Sequence, residues 1–171
     1  LDNDSLVKAR PARGIFRYDN INYQSKFTGT DTTTYYYSGD RNKCISENSI
    51  QKGFECEDYG TATDSILSYK LYDTEEKILG FTCRVIELKK SRSWVKYYFS
   101  KDHMMSPATY QNHKAFNWDV YGTKTKGGLI LKMEHRFTLF TMMGVATEME
   151  VQNENFRSLE INDSLFTEVC K

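Results

Sequence analysis

The chain has 171 residues, the length of one ordinary domain, at which roughly 70% of the unfolded surface is buried. Basic and acidic side chains each number 23, and a zero net charge lacks the basic excess of polyanion binders, so no nucleic-acid partner is expected. Twelve tyrosines, ten phenylalanines and only two prolines suit a pleated, half-buried surface and exclude disorder. No apolar run approaches the roughly 20 residues of a membrane helix, so the chain is not expected to span a membrane by one.

In chain order, residues 1–9 are predicted as a short helical turn capped by Asp4 or Ser5. Strand-length segments then alternate with polar turns. They begin with Gly14-Ile15-Phe16-Arg17-Tyr18 and the Thr/Tyr-rich residues 32–37. Residues 66–72, 80–88 and 94–99 follow, the last two joined by Lys89-Lys90-Ser91-Arg92-Ser93, which suits a solvated hairpin turn. Residues 101–125, with Pro107 and four aromatics, are expected to form a long ordered loop with one helical turn. Residues 128–133, 137–142 and 145–151 complete the strands. In the last of these Val145, Thr147, Met149 and Val151 alternate with Ala146, Glu148 and Glu150, as in a sheet with one covered side. A final short helix is predicted over residues 163–170, with Leu165, Phe166 and Val169 on one side. This series predicts a single β-rich domain over residues 1–171. The fold class is mainly β: a strongly curved antiparallel sheet or incomplete barrel with one or two short helices.

Four cysteines, Cys44, Cys56, Cys83 and Cys170, are candidate disulfide partners. Their even number allows two bridges in three pairings, and four reduced thiols are the other reading. No Cys-x-x-Cys pair exists, so zinc and thioredoxin-type chemistry lose their usual signature. Leu1 stands where a removed leader would leave it, so export is expected. Asn3-Asp4-Ser5 and Asn162-Asp163-Ser164 match the glycosylation acceptor pattern.

Catalytic signatures are sparse. His103, His113 and His135 have no metal-ligand spacing, and there is no Gly-x-Ser-x-Gly elbow. Lys124-Thr125-Lys126-Gly127-Gly128 reverses the order of a phosphate loop. Asp102 and Asp119, near Trp118 and Tyr121, are the one carboxylate pair whose setting suits sugar hydrolysis, a pairing common on ordinary surfaces. The basic cluster Arg84, Lys89, Lys90, Arg92, Lys96 and Lys101 reads as a solvated hairpin edge protected by lysines. No cofactor, metal or catalytic residue is expected.

The sharper candidate is an apolar concavity. Val95, Tyr97 and Phe99 alternate on one strand face, Leu129 and Leu131 on another, and Phe140 and Met142 share a third. Such residues line a ligand pocket or simply a packed core, since both draw on the same types.

Ile78-Leu79-Gly80-Phe81-Thr82-Cys83, then Trp94-Val95-Lys96-Tyr97-Tyr98-Phe99, Ser106-Pro107 and Lys126-Gly127-Gly128-Leu129-Ile130-Leu131 together carry a resemblance. Over roughly residues 75–151 the chain resembles exported Bacteroidetes-type proteins of unknown function. They belong to the lipoprotein-carrier-like (LolA/LolB-like) group, which includes the Gly-Leu-Pro-Gly-Leu-Ile family. In place of that family's Pro-Gly step the chain has Gly127-Gly128. The resemblance implies an incomplete barrel with helices plugging its open apolar side, located in the periplasm or outer envelope. It implies an exported, non-catalytic binding protein holding a lipid or other amphiphile. The alternative is a structural or protein-interaction module of the cell envelope, partnered by an envelope protein and without a small ligand.

Overall fold

The computed structural model describes residues 13–19, 21–62, 64–105, 110–150 and 163–171. They fold as a mainly β protein with two open antiparallel sheets and little helix, the fold class expected. The predicted helix over residues 1–9 lies outside the described residues. Two compact units divide the chain, one from residues 1–60 and 157–171, the other from residues 61–156.

The first unit is a meander of β1 (Arg13–Tyr18), β2 (Tyr23–Thr28), β3 (Thr32–Ser38), β4 (Lys43–Asn48) and β5 (Phe54–Asp58), in that spatial order. Strands β2, β4 and β5 are additions to the sequence reading. Their short, polar-rich runs lack the apolar density of residues 80–88 and 94–99. Side chains opposite one another in register share a face. Tyr18 lies opposite Tyr23, Tyr23 opposite Tyr37, and Tyr37 opposite Cys44, so one face gathers the aromatics. Rings of Phe16 and Tyr23 stack at 5.1 Å, Tyr23 and Tyr37 at 4.8 Å, and Tyr37 and Tyr59 at 5.9 Å. On the other face Ile45 lies beside Cys56. Cys56 is bridged to Cys170 just past a short helix, α2 (Asp163–Val169). That helix buries Phe166, under the guanidinium of Arg41, as its sequence pattern predicts. Cys44 and Cys83 are buried free thiols, so the four cysteines form one bridge.

The second unit is also a meander, with spatial order β10-β9-β8-β7-β6. Its strands are β6 (Ile66–Ile78), β7 (Phe81–Lys90), β8 (Trp94–Met104), β9 (Gly128–Arg136) and β10 (Thr141–Val145). Between β6 and β7, Leu79 and Gly80 both take positive φ (51° and 84°), as a two-residue type I′ turn requires. Asp64 pins the next hairpin. Its carboxylate accepts from the hydroxyls of Ser91 and Ser93 at 2.6 and 2.7 Å and from the Arg92 backbone N–H at 3.0 Å.

Three sequence expectations are corrected here. Residues 101–125 are not one long loop: β8 continues to Met104, and an α-helix, α1 (Trp118–Thr125), follows a 3-10 turn (Ala115–Asn117). The helix was hidden by its β-branched Val120, Thr123 and Thr125, which lower helix propensity. Two of these, Thr123 and Thr125, bond back to the carbonyls of Asp119 and Tyr121, each at 2.8 Å. Residues 137–142 are not one strand: 137–140 form a turn, and Thr141 and Met142 open β10. Phe137 and Phe140 close a turn (N–H to carbonyl, 2.8 Å) with their rings 4.6 Å apart, an apolar turn without the usual Gly, Asn or Pro signal. The alternating run 145–151 does not form a strand either. β10 ends at Val145, and residues 146–150 lie outside any strand, with Val145 and Thr147 exposed. Val151 lies outside the described residues.

Candidate functional site

The central strands of the second sheet bring part of the predicted apolar set together. Register places Leu88, Val95 and His135 side by side, then Ile86, Tyr97 and Met133, then Phe99 and Ile130. Val95, Tyr97 and Phe99 are 0%, 3% and 1% exposed. A register shift between Tyr98 and Phe99 puts Ile130, not Leu131, next to Phe99. Leu129 sits opposite Ser100, on the other face, and Leu131 is buried at the bulge. Met142 lies opposite His135 and is half-buried. Phe140 is in the hairpin turn against Phe137. The structure therefore gathers Val95, Tyr97 and Phe99, keeps Met142 at the margin and separates Leu129 and Phe140 from them.

The covered face is filled by the chain itself. Tyr121 of α1 packs edge-on against Tyr97 at 5.1 Å and Phe99 at 6.2 Å. With Ile86, Leu88 and Val95 these residues form one buried cluster. The Tyr121 hydroxyl donates to the Gly128 carbonyl, and the Trp118 indole hydrogen-bonds the Tyr97 hydroxyl. Gly128 is required there: a Cβ at that position would stand 2.2 Å from Cδ2 of the Phe99 ring. Desolvation by burial raises the Tyr97 hydroxyl to about 12, with the Trp118 bond opposing it. Tyr121 is likewise raised, first by burial. Both phenols are therefore neutral packing groups.

Lys90 departs from its predicted place in a solvated turn. It is 5% exposed, on the same face as Ile86 and Leu88 by strand alternation. Its ammonium donates to the Phe116 carbonyl at 3.4 Å. Burial lowers its pKa, with Asp64 opposing. The period of two that marks Leu88 as buried marks Lys90 too. The prior that lysines are solvated hid this.

His135 is 9% exposed, and its Nε2 has no hydrogen-bond partner. Its ring lies 3.9 Å from that of Phe137. Desolvation, then the charge of Lys90, pushes it down to about 4. His113, fully buried, stacks on Trp118 at 5.0 Å, and its Nδ1 lies 3.0 Å from the Ala115 carbonyl. Burial lowers it to about 4 as well. His103 packs edge-on against Phe81 at 4.6 Å.

The opposite face buries Cys83, Val85, Ser100 and Leu129, and beside them carries an internally compensated polar cluster. Tyr98 lies between two ammonium groups, Lys96 at 5.1 Å and Lys132 at 4.3 Å from its ring. Lys96 faces Glu87 at 3.7 Å, and Lys132 faces Glu76 at 2.9 Å and Glu134 at 3.4 Å. Asp102 is exposed on β8, while Asp119 is in the first turn of α1 with one buried carboxylate oxygen lacking a partner. Among the described residues, no group of three or more His, Cys, Asp or Glu is arranged to hold a metal ion. No described helix is long and apolar enough to cross a membrane. Comparison with protein-family models, with curated proteins and with solved structures finds no match.

Proposed function

We propose that this chain is a non-catalytic interaction module of an oxidising compartment, exported to the periplasm or outer envelope, whose partner is another envelope protein. The observation that carries this reading is the occupancy of the apolar face by Tyr121, which fills the place an acyl chain would take over Tyr97 and Phe99. A carrier needs that face free, because its binding free energy comes from burying CH₂ groups at about 0.8 kcal/mol each. The Cys56–Cys170 bridge supports the oxidising setting.

A partner would meet β10 and the turn before it. β10 is a sheet edge without a charged residue, and Leu139, Met143 and Val145 are 84%, 66% and 59% exposed. Uncharged edge strands are ready templates for strand addition.

Native mass spectrometry of the purified protein, joined to titration with a fluorescent fatty acid at pH 7.5, tests the reading. The expected result is a lipid-free mass and no saturable uptake. Stoichiometric lipid or saturable uptake would overturn it in favour of the lipid or amphiphile carrier that the resemblance implies.

A further inference from the structure

We propose that β1, the edge of the first sheet, is a strand-addition site for residues 146–150 of a second copy of this chain. The inference concerns the first sheet and goes beyond the reading above, which places a partner at β10.

The edge is open and basic. β1 ends the order β1-β2-β3-β4-β5, and all of its residues but Tyr18 are exposed. The Asp19 backbone N–H donates to the Asn22 carbonyl at 3.0 Å, in line with the register that sets Tyr18 opposite Tyr23. Hydrogen-bonded and non-bonded pairs alternate along an antiparallel ladder. Arg13, Ile15 and Arg17 therefore bond to β2, while the backbone groups of Gly14, Phe16 and Tyr18 turn outward. Arg13, Ile15 and Arg17 share one face, and Lys26 lies opposite Ile15 on β2. The three cations are exposed and have no ion-pair partner among the described residues. Strands β1, β2 and β3 carry no carboxylate. The other face offers Phe16, 41% exposed, with Tyr18 at 5.9 Å. Such an edge is a template for another strand, and its charge selects an acidic one.

The chain itself contains a segment of that kind. Residues 146–150 read Ala-Thr-Glu-Met-Glu, so Thr147 and Met149 alternate with Glu148 and Glu150. The alternation is that of a strand, yet β10 ends at Val145, and only the Ala146 N–H still reaches β9, at the Leu131 carbonyl (2.7 Å). Thr147, Glu148 and Glu150 are exposed, and neither glutamate has an ion-pair partner among the described residues.

Charge and shape then fix a register. Laid antiparallel on β1 with Glu148 opposite Arg17, the segment sets Met149 opposite Phe16 and Thr147 opposite Tyr18. Glu150 falls opposite Ile15, diagonal to both arginines and in line with Lys26. Opposite charges at facing and diagonal positions attract, and a methionine sulfur packs well on a ring. The same charges exclude the competing pairs. β1 against β1 brings arginine beside arginine, and two acidic segments bring glutamate beside glutamate, both of them repulsive. Each copy carries one edge and one segment, so the exchange closes as a pair or runs on as a chain, according to the rotation it imposes.

Sedimentation velocity on the intact chain, from micromolar to submillimolar protein at low and high salt, tests this. The expected result is self-association that rises with concentration and weakens with salt. Reversing one opposed pair turns an attraction into a repulsion of similar size, which weakens association by about tenfold. The Arg13→Glu, Arg17→Glu chain and the Glu148→Lys, Glu150→Lys chain should each sediment as monomers. An equimolar mixture of the two should associate again, because the lysine segment of one meets the glutamate edge of the other. Met149→Pro keeps every charge but removes the N–H that pairs with Phe16, so it should also give a monomer, and it serves if a reversed chain fails to fold. A wild-type chain that stays monomeric throughout, a mixture that does not associate, or Met149→Pro that associates like wild type would overturn the proposal. Native mass and fatty-acid uptake, which judge the functional reading, do not depend on β1, so the two failures are distinguishable.

Discussion

The two sheets secure their flanking helices by different means. In the first unit α2 is tied to β5 through Cys56–Cys170, a covalent bridge across 114 positions of sequence. In the second, α1 is held over β7, β8 and β9 by ring packing, the Tyr121 and Trp118 hydrogen bonds and a buried lysine. A covalent tie acts through the entropy of the unfolded chain and is indifferent to pH. Packing and hydrogen bonds act only in the folded state and depend on the fit of each contact. The difference separates a covalently fastened helix from one held by packing and hydrogen bonds alone.

The largest expected effect comes from removing the tie. The Cys56→Ser, Cys170→Ser double variant should lose about 2–5 kcal/mol, as long-loop bridges do. Both tryptophans, Trp94 and Trp118, belong to the second unit, so their emission reports that sheet alone. The urea midpoint from peptide-resolved hydrogen exchange over residues 13–58 should fall, with the tryptophan midpoint in place. Equal movement of the two would mean that the sheets unfold as one and that the comparison breaks.

Next in size is Gly128→Ala. A methyl 2.2 Å from the Phe99 ring forces that ring or the strand aside, at about 1–3 kcal/mol. Here the tryptophan midpoint should move and the hydrogen-exchange midpoint of residues 13–58 should not. An unchanged tryptophan midpoint would show that the Phe99–Tyr121 contact is looser than its geometry indicates.

Smallest is Glu76→Gln in the polar cluster. Lys132 retains Glu134 at 3.4 Å, and Glu76 is 37% exposed, so the change should stay below about 1 kcal/mol and shrink with added salt. A larger loss would mean that the polar cluster, and not only the apolar packing, holds the sheet together.

Legibility of the fold in the sequence followed the strength of local periodicity. Residues 80–88 and 94–99 alternate densely, and they are the core strands. The β7–β8 turn and the Phe166 helix were readable for the same reason. The run 145–151 alternates as cleanly, yet among its described residues only Val145 belongs to a strand. Alternation states what a segment could pair with and says nothing of whether a neighbouring edge is there. The Phe137–Phe140 turn was missed because ring contact replaced turn chemistry. Of the candidate site, Val95, Tyr97 and Phe99 were found from period two. Leu129, read from the same period as Leu131, sits opposite Ser100 on the other face, because the bulge at Leu131 shifts the register of the residues before it.

By itself the sequence determined the β class, the alternating faces of β7 and β8, and the identity of the small terminal helix, because each depends on residues within a few positions. Only the tertiary structure decided which cysteines pair, that Lys90 is buried, and that Tyr121 occupies the apolar face. Those outcomes join residues tens of positions apart through bulges and turns whose geometry no local pattern encodes. A plug and a ligand pocket are built from the same side chains, and what distinguishes them is where another part of the chain comes to rest.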